Sequence, residues 1–464
     1  MSEPKKVGRR TFLNYAIAVV ATGVIVGAAT YFAVPKGVTT VTAPGTTVTT
    51  TKTVTTTVTG TPTTTPPTTT STTTTTTSPS GKPVKIGCVT PLTGPLGSGG
   101  RTITKAFTMA VEDWNNTVLG RPIDFIVAAA ETDEQLISEA ERLITEVGCK
   151  IFVTGYGSHV SEVTEGVFEK YQVLCIDWGA WSDVLREKGY KWTFFLAPMC
   201  VGQYVPDMAD KLVNVFAPAL GKDPKELRVA IMCTDLYPYV GTGIKNRLDS
   251  LGLSNILVDY ITFTEPVKDF TEIIERLKEK KVDIFIPVVS GAESAALLVR
   301  QSKQLGFKPP VFYAAGLAFE HPDLPKLLSD APELLQGIFT HSFLSATIKH
   351  PPANEFYQRF YKRWGEYPSV HATEAYSAMI FLLECIQKTG SDDPAAVRET
   401  VKNADIPTGV RVIYWGIKFD ERNQNIRANL FQVAQWQIIE GKPQLVCVGP
   451  PEIAMYNMIP TWKS

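Results

Sequence analysis

The stretch Val84–Asn115, VKIGCVTPLTGPLGSGGRTITKAFTMAVEDWN, decides how the rest of the chain is read. Val84–Thr90 is a short apolar run with β-branched residues, bounded by Lys82-Pro83 and Pro91, which predicts a buried strand. Pro91–Gly100 is a loop rich in glycine and proline. Beyond it Ile103, Phe107, Ala110, Val111 and Trp114 recur at helical spacing. In a parallel α/β sheet such a loop lies at the carboxyl end of its strand, where ligands bind, and the following helix aims its first amides at them. A phosphate site is disfavoured, since neither GxGxxG nor the P-loop pattern GxxxxGK-Ser/Thr occurs.

The same alternation continues. Strands are predicted at 122–130, 150–154, 173–176, 228–233, 256–263, 282–289 and 310–314, with helices at 134–147, 161–171, 240–251, 270–280 and 292–305 between them. That pattern gives doubly wound parallel sheets with helices on both faces. The tail differs: 353–364 and 373–389 are helical, and 410–419 with 429–438 read as a β-hairpin around Asp420-Glu421-Arg422-Asn423.

With 464 residues the chain is long enough for two or three domains. Its 45 basic and 46 acidic residues nearly cancel, which leaves no field to hold nucleic acid. Seven cysteines show neither CxxC nor metal-ligand spacing, and they read as buried free thiols; Cys149 and Cys175 could meet across neighbouring strands. The five histidines, His159, His321, His341, His350 and His371, show no HExxH, and no GxSxG elbow exists. No motif calls for a metal or cofactor, and no enzymatic arrangement stands out.

Lys5, Lys6, Arg9 and Arg10 precede an uncharged apolar run, Tyr15–Val34, whose length of about 20 residues suits a membrane span. GRRTFLN, Gly8–Asn14, resembles the twin-arginine export signature. An exported protein follows, tethered by residues 1–36 or released by cleavage. Residues 37–81 are mostly threonine with proline, valine and serine, and cannot build a core. This stalk of about 45 residues would average ~40 Å end to end if flexible. Similar threonine-rich stalks are found on surface binding proteins of archaea.

PLTGPLGSGG followed by a helix ending AVEDWN resembles the opening of the leucine/isoleucine/valine-type solute-binding proteins of ABC importers, and the resemblance extends to about Gln437. It implies the type 1 periplasmic-binding-protein fold: two α/β lobes joined by three crossing strands and able to close on a ligand. The crossings would fall near Pro198, His341 and Pro407. Lobe one would then be 82–198 with 342–407, and lobe two 199–341 with 408–464. The partners implied are a small solute and an ABC permease; a sensor ectodomain or a surface hydrolase on the same architecture is the alternative.

The resemblance also proposes site residues. Thr93 and Gly99 lie in the first loop. GYGSHVSEVTEGVF, Gly155–Phe168, looks like the family's carboxylate-holding segment, with Ser158 in that role and Ser161 as substitute; as plain sequence it is also a simple helix cap. Asp177-Trp178-Gly179-Ala180-Trp181 stands where relatives carry small residues, and its tryptophans could stack on a ligand or pack as core. Tyr239 matches the ring that closes over the ligand, with Tyr237 as near alternative. Asp269 reads as a helix cap. Gly291 and Glu320 complete the set. Ala314-Ala315-Gly316 replaces an acid that many amino-acid binders pair with the ligand ammonium, so Glu320, Glu293 or Asp177 would have to supply that charge, or the ligand lacks an ammonium.

Overall fold

The computed structural model describes residues 39–40 and 81–462, apart from 95, 316, 322, 343–346 and 430. The predicted span Tyr15–Val34 and nearly all of the stalk lie outside the described residues. Thr39–Thr40 is a two-residue strand of a separate N-terminal unit. Among the described residues no helix is long and apolar enough to cross a membrane.

In the main unit the first sheet is built from β1 (Val84–Thr90), β2 (Arg121–Ala129), β3 (Ile151–Thr154), β4 (Leu174–Asp177) and β5 (Thr193–Phe195). Their order is β2-β1-β3-β4-β5, all parallel. Helices α1 (Gly97–Asp113), α2 (Asp133–Arg142) and α3 (Ser158–Tyr171) connect the first four strands. Thr132 and Gln135 form a capping box at the start of α2, a signature legible as TDEQ. Sheet strands covered on both faces read as continuous apolar runs, and β3 and β4 are buried at every position.

After α4 (Val205–Lys211) the chain makes the second sheet: β6 (Val229–Thr234), α5 (Pro238–Ser250), β7 (Leu257–Phe263), α6 (Thr271–Glu279), β8 (Ile284–Val288), α7 (Ala292–Gln304), β9 (Val311–Ala315) and β10 (Phe339–Ser342). Helices α8 (Pro351–Trp364), α9 (Val370–Thr389) and α10 (Pro394–Lys402) then return to the first sheet, where α9 packs along α1. The short pair β11 (Asp405–Ile406) and β12 (Ile417–Lys418) precedes β13 (Gln432–Ile439) and β14 (Lys442–Gly449). The second sheet runs β14-β13-β10-β9-β8-β6-β7, parallel except for β13 and β14. Two lobes of one architecture result.

Two expectations change, and the cysteine reading holds. The helix after the first strand begins at Gly97, inside the predicted loop, although four consecutive small residues are poor helix formers. Close packing explains it: a Cβ on Gly100 would come within 1.8 Å of the Pro91 carbonyl oxygen, and one on Gly99 within 1.9 Å of the Tyr156 hydroxyl. The predicted hairpin around Asp420–Asn423 is replaced by β13 and β14, which turn at Glu440-Gly441, both at positive φ. The Asp420–Asn425 turn is tied to the end of β5 instead. Phe195 N–H donates to Asn423 O and Asn425 N–H to Phe195 O, each at 2.9 Å, while Asn425 Nδ2 donates to Gly416 O at 3.0 Å. All seven cysteines are free and buried, so Cys149 and Cys175 form no bridge.

Candidate functional site

In an open parallel sheet the crevice for ligands lies where the strand order reverses, outside the carboxyl ends of the strands. In lobe one that point falls between β1 and β3, so the loops starting at Pro91 and Gly155 flank it. In lobe two it falls between β6 and β8, flanked by the segments holding Tyr239 and Gly291. The topology thus places the loops of Thr93, Gly99 and Ser158 at one crevice and the segments of Tyr239 and Gly291 at the other, while Asp177–Trp181 and Glu320 follow the neighbouring strands β4 and β9.

In lobe one the convergence is tight. Gly155 and Gly157 adopt φ of 120° and 88°, conformations that place Tyr156 beneath Gly99. The Tyr156 ring stacks on Trp178 with centroids 6.1 Å apart and planes 13° from parallel. Ser158 opens α3, whose N-cap Gly157 supplies no side-chain cap, and Ser158 Oγ accepts from the Trp181 backbone N–H at 3.1 Å. That bond ties the loop after β3 to the loop after β4. Gly179 lies so close to the Gly155 carbonyl oxygen that a Cβ would meet it at 2.3 Å. The Trp181 ring stands edge-on to Tyr204 at 4.9 Å.

Several candidates are turned inward. Asp177 is fully buried, and its Oδ1 accepts from Gly179 N–H at 3.0 Å and Ala180 N–H at 2.8 Å, which closes the turn. Beneath it lies Glu165, a buried carboxyl pushed well up by desolvation and by the Asp177 carboxylate. Kept protonated, Glu165 can donate to Asp177. Asp177 is thus a brace for the loop and not a counter-ion facing the cleft. Ala180 packs in a small interior cluster with Leu185 and Phe195, Ser161 is fully buried, and Trp178 is core, edge-on to Phe107 at 6.1 Å. Of the two readings open for the tryptophans, Trp178 takes the core one.

Lobe two is looser. Tyr239 is 47% exposed at the start of α5, its ring 6.2 Å from Tyr237. Partial burial of its hydroxyl raises that group's pKa, helped by Cys200, Tyr237, Glu162 and Asp183. Gly291 is the N-cap of α7, with Glu293 beside it. Thr93 is exposed in the first loop of lobe one. Glu320 accepts from Thr340 Oγ1 at 2.9 Å, and burial pushes its carboxyl up to about 7. Asp269 accepts from Thr271 N–H at 2.9 Å, but the N-cap of α6 is Phe270, so Asp269 stands one residue outside the cap position expected for it.

Sequence reasoning missed four residues. Tyr156 was legible between two glycines but was passed over. His371 and Glu374 stand three residues apart on α9, with His371 Nδ1 and Glu374 Oε2 2.8 Å apart. The His371 ring meets Tyr156 at 5.9 Å, and Glu374, 2% exposed, is raised to about 7 by burial. Glu320 feels the charges of both His371 and Glu374. Arg186, only 1% exposed, donates to Ala180 O at 2.6 Å, Ser182 O at 2.8 Å, Ala197 O at 3.2 Å and Gln424 Oε1 at 2.7 Å. One buried guanidinium thereby joins the tryptophan loop to the segments holding Ala197 and Gln424. Behind Trp178 a small cavity is bounded by Glu374 and Ser377 and, on its apolar side, by Leu196, Ile413, Trp415 and Ile417. Among the described residues no group of His, Cys, Asp and Glu is placed to hold a metal.

Comparison with known proteins agrees with this architecture. The chain is 29% identical over 390 residues to Leu/Ile/Val-binding protein homolog 7 of Brucella suis biovar 1 (strain 1330), covering 81% of this chain and 94% of that protein. A branched-chain amino acid transporter substrate-binding protein of Streptococcus pneumoniae, solved with isoleucine, superposes with a TM-score of 0.63 at 18% identity, covering 79% of this chain and all of that one. A solute-binding protein of an ABC transporter from Rhodopseudomonas palustris, solved with 3,4-dihydroxybenzoic acid, gives the same TM-score and identity over 81% of this chain and 97% of that one. At such identities the solved structures speak for the fold alone. The periplasmic binding protein family model matches residues 83–442, and the chain belongs to that family.

Proposed function

We propose that this protein is the extracytoplasmic solute receptor of an ABC importer, which closes its two lobes on a small molecule bearing a carboxylate: an amino acid, or a related acid or amide. The observation that carries the reading is the uncapped start of α3 beside Ser158, at the switch point of lobe one. Backbone N–H groups and a hydroxyl at a helix start suit a carboxylate. Tyr156, Ser158 and Trp181 are assigned to lobe one's side of the ligand, Tyr239 and Glu320 to lobe two's. Glu320 supplies the acid that the sequence lacks after β9, and with it a partner for a ligand ammonium. The lobe limits 82–198 with 342–407 and 199–341 with 408–464 belong to the same proposal. So do the membrane anchor at Tyr15–Val34, the stalk and the permease that receives the solute; the charge asymmetry and composition of the N-terminus support the tether.

A thermal-shift screen of the purified protein against amino acids, amides, aromatic acids, dicarboxylic acids and sugars tests the reading. A ligand at 100 times its Kd adds about 2.7 kcal/mol of stability. Stabilisation by carboxylates that Ser158→Ala weakens selectively is the expected outcome. Stabilisation by sugars alone would overturn it.

A further inference from the structure

Asn115-Asn116-Thr117 has the acceptor pattern for N-linked glycosylation, Asn-x-Ser/Thr with x other than proline. No other asparagine of the chain is followed two positions later by serine or threonine. The pattern falls on the turn that ends α1. Asn115 is exposed, and both asparagines adopt left-handed backbone, with φ of 51° and 55°. Asparagine tolerates that conformation, so the turn alone accounts for the residue type. It does not account for a free amide. The Asn115 backbone N–H donates to Glu112 O at 2.8 Å, but its side chain has no hydrogen bond among the described residues. Thr117 opens a two-residue strand, Thr117–Val118, that pairs with the start of β2. Its hydroxyl makes one long bond, to Trp114 O at 3.3 Å, which is readily given up to a transferase that reads the hydroxyl.

We propose that Asn115 is an N-glycosylation site. In the transfer, Asn115 Nδ2 bonds to the anomeric carbon of a lipid-linked oligosaccharide. The bond from that carbon to the oxygen of the polyprenyl phosphate breaks, its electron pair leaves with the phosphate, and Nδ2 gives up one proton. The Thr117 hydroxyl selects Asn115 over Asn116, which has Val118 at the corresponding place. The site rests on the export reading proposed above, since in an exported chain this pattern marks a surface loop open to modification. It also leaves the solute site free. Helix α1 starts beside the crevice of lobe one and runs 17 residues, about 25 Å, away from it before the turn.

The test is mass spectrometry of the full chain isolated from the cells that naturally make it, joined to labelling of intact cells with a membrane-impermeant amine reagent. The expected result is a labelled chain whose Asn115 peptide is heavier by a whole number of sugar residues. That shift should vanish in Asn115→Asp, which keeps a residue tolerant of the turn, and in Thr117→Ala, and persist in Thr117→Ser. An unmodified Asn115 on a chain labelled from outside overturns the site alone. An unmodified chain shielded from the reagent overturns the export reading with it. A shift that survives Asn115→Asp or Thr117→Ala puts the sugar on another residue and refutes the proposal as well. Should the variants fail to accumulate, fragmentation of the unsubstituted peptide decides, because it assigns the added mass to Asn115 or elsewhere.

Discussion

The crevices of the two lobes occupy equivalent places in equivalent sheets, but they are held differently. In lobe one the loops after β3 and β4 are braced from below by Asp177 over a protonated Glu165, by Arg186, and by glycines that let the two backbones touch. In lobe two the residues at the switch point are Tyr239, about half exposed, and Gly291, a plain helix start. On the function proposed, the first crevice is the pre-formed side and the second the cover. A receptor that must hold a ligand and then release it to a permease gains from that division, because rigidity on one side lowers the ordering cost of binding while the other side moves.

The division makes its largest prediction at Arg186. Arg186→Met takes their donor from Ala180 O, Ser182 O and Gln424 Oε1 and removes the cation near Asp177 and Glu165, so a loss of about 3–5 kcal/mol is expected in urea unfolding. Arg300→Met on α7 of lobe two breaks a surface pair with Asp330 and should cost about 0–1 kcal/mol. Equal losses would abolish the contrast. Glycines sharpen it next. A methyl at Gly179 meets the Gly155 carbonyl oxygen at 2.3 Å, so Gly179→Ala should cost about 1–3 kcal/mol. At Gly291 a methyl finds only the end of Glu293 at 3.4 Å, and Gly291→Ala should change the melting temperature little.

The third prediction concerns pH. Burial, with Asp177 adding to it and His371 opposing it, raises Glu374 from an ordinary 4.5 to about 7. The folded chain therefore keeps a proton that the unfolded chain has released. Stability from that proton is complete below pH 4.5 and falls as pH rises to about 7, by up to ~1.4 kcal/mol per pH unit. Glu374→Gln should remove this slope, measured as urea stability between pH 4.5 and 7.5. Glu320 titrates in the same window and in the same sense, and Glu320→Gln should remove its share separately. A slope untouched by Glu374→Gln would mean that water reaches lobe one's interior as freely as lobe two's crevice.

Much of this was legible because local patterns and fold agree. The apolar run of β1, the helical spacing of α1 and the TDEQ cap of α2 each dictate their element without help from distant residues. The hairpin around Asp420 was misread because its turn residues are spent on Phe195, over two hundred positions away, a partnership that no local pattern encodes. Asp177 looked like a ligand counter-ion because sequence cannot tell a carboxylate facing a cleft from one closing its own turn over a second buried acid. His371 and Glu374 escaped for the converse reason. Their i, i+3 spacing is ordinary on any helix, and only the return of α9 along α1 brings them under Tyr156.

The smallest effect on stability tests the comparison most directly. Tyr239 is 47% exposed, so Tyr239→Ala should shift unfolding free energy by no more than about 0.5 kcal/mol. If lobe two contributes by covering, the same change should weaken the ligand found in the thermal screen by about tenfold to a hundredfold, read by titration calorimetry. Ser158→Ala acts on the pre-formed side. It removes the acceptor for Trp181 N–H as well as a ligand contact, so it should lower affinity and stability together. The separation of the two readouts at Tyr239, against their coupling at Ser158, is what distinguishes a cover from a floor. Were Tyr239→Ala to leave affinity intact, the covering surface would lie elsewhere in lobe two, and Tyr237, less exposed and 6.2 Å away, is the ring positioned to take that role.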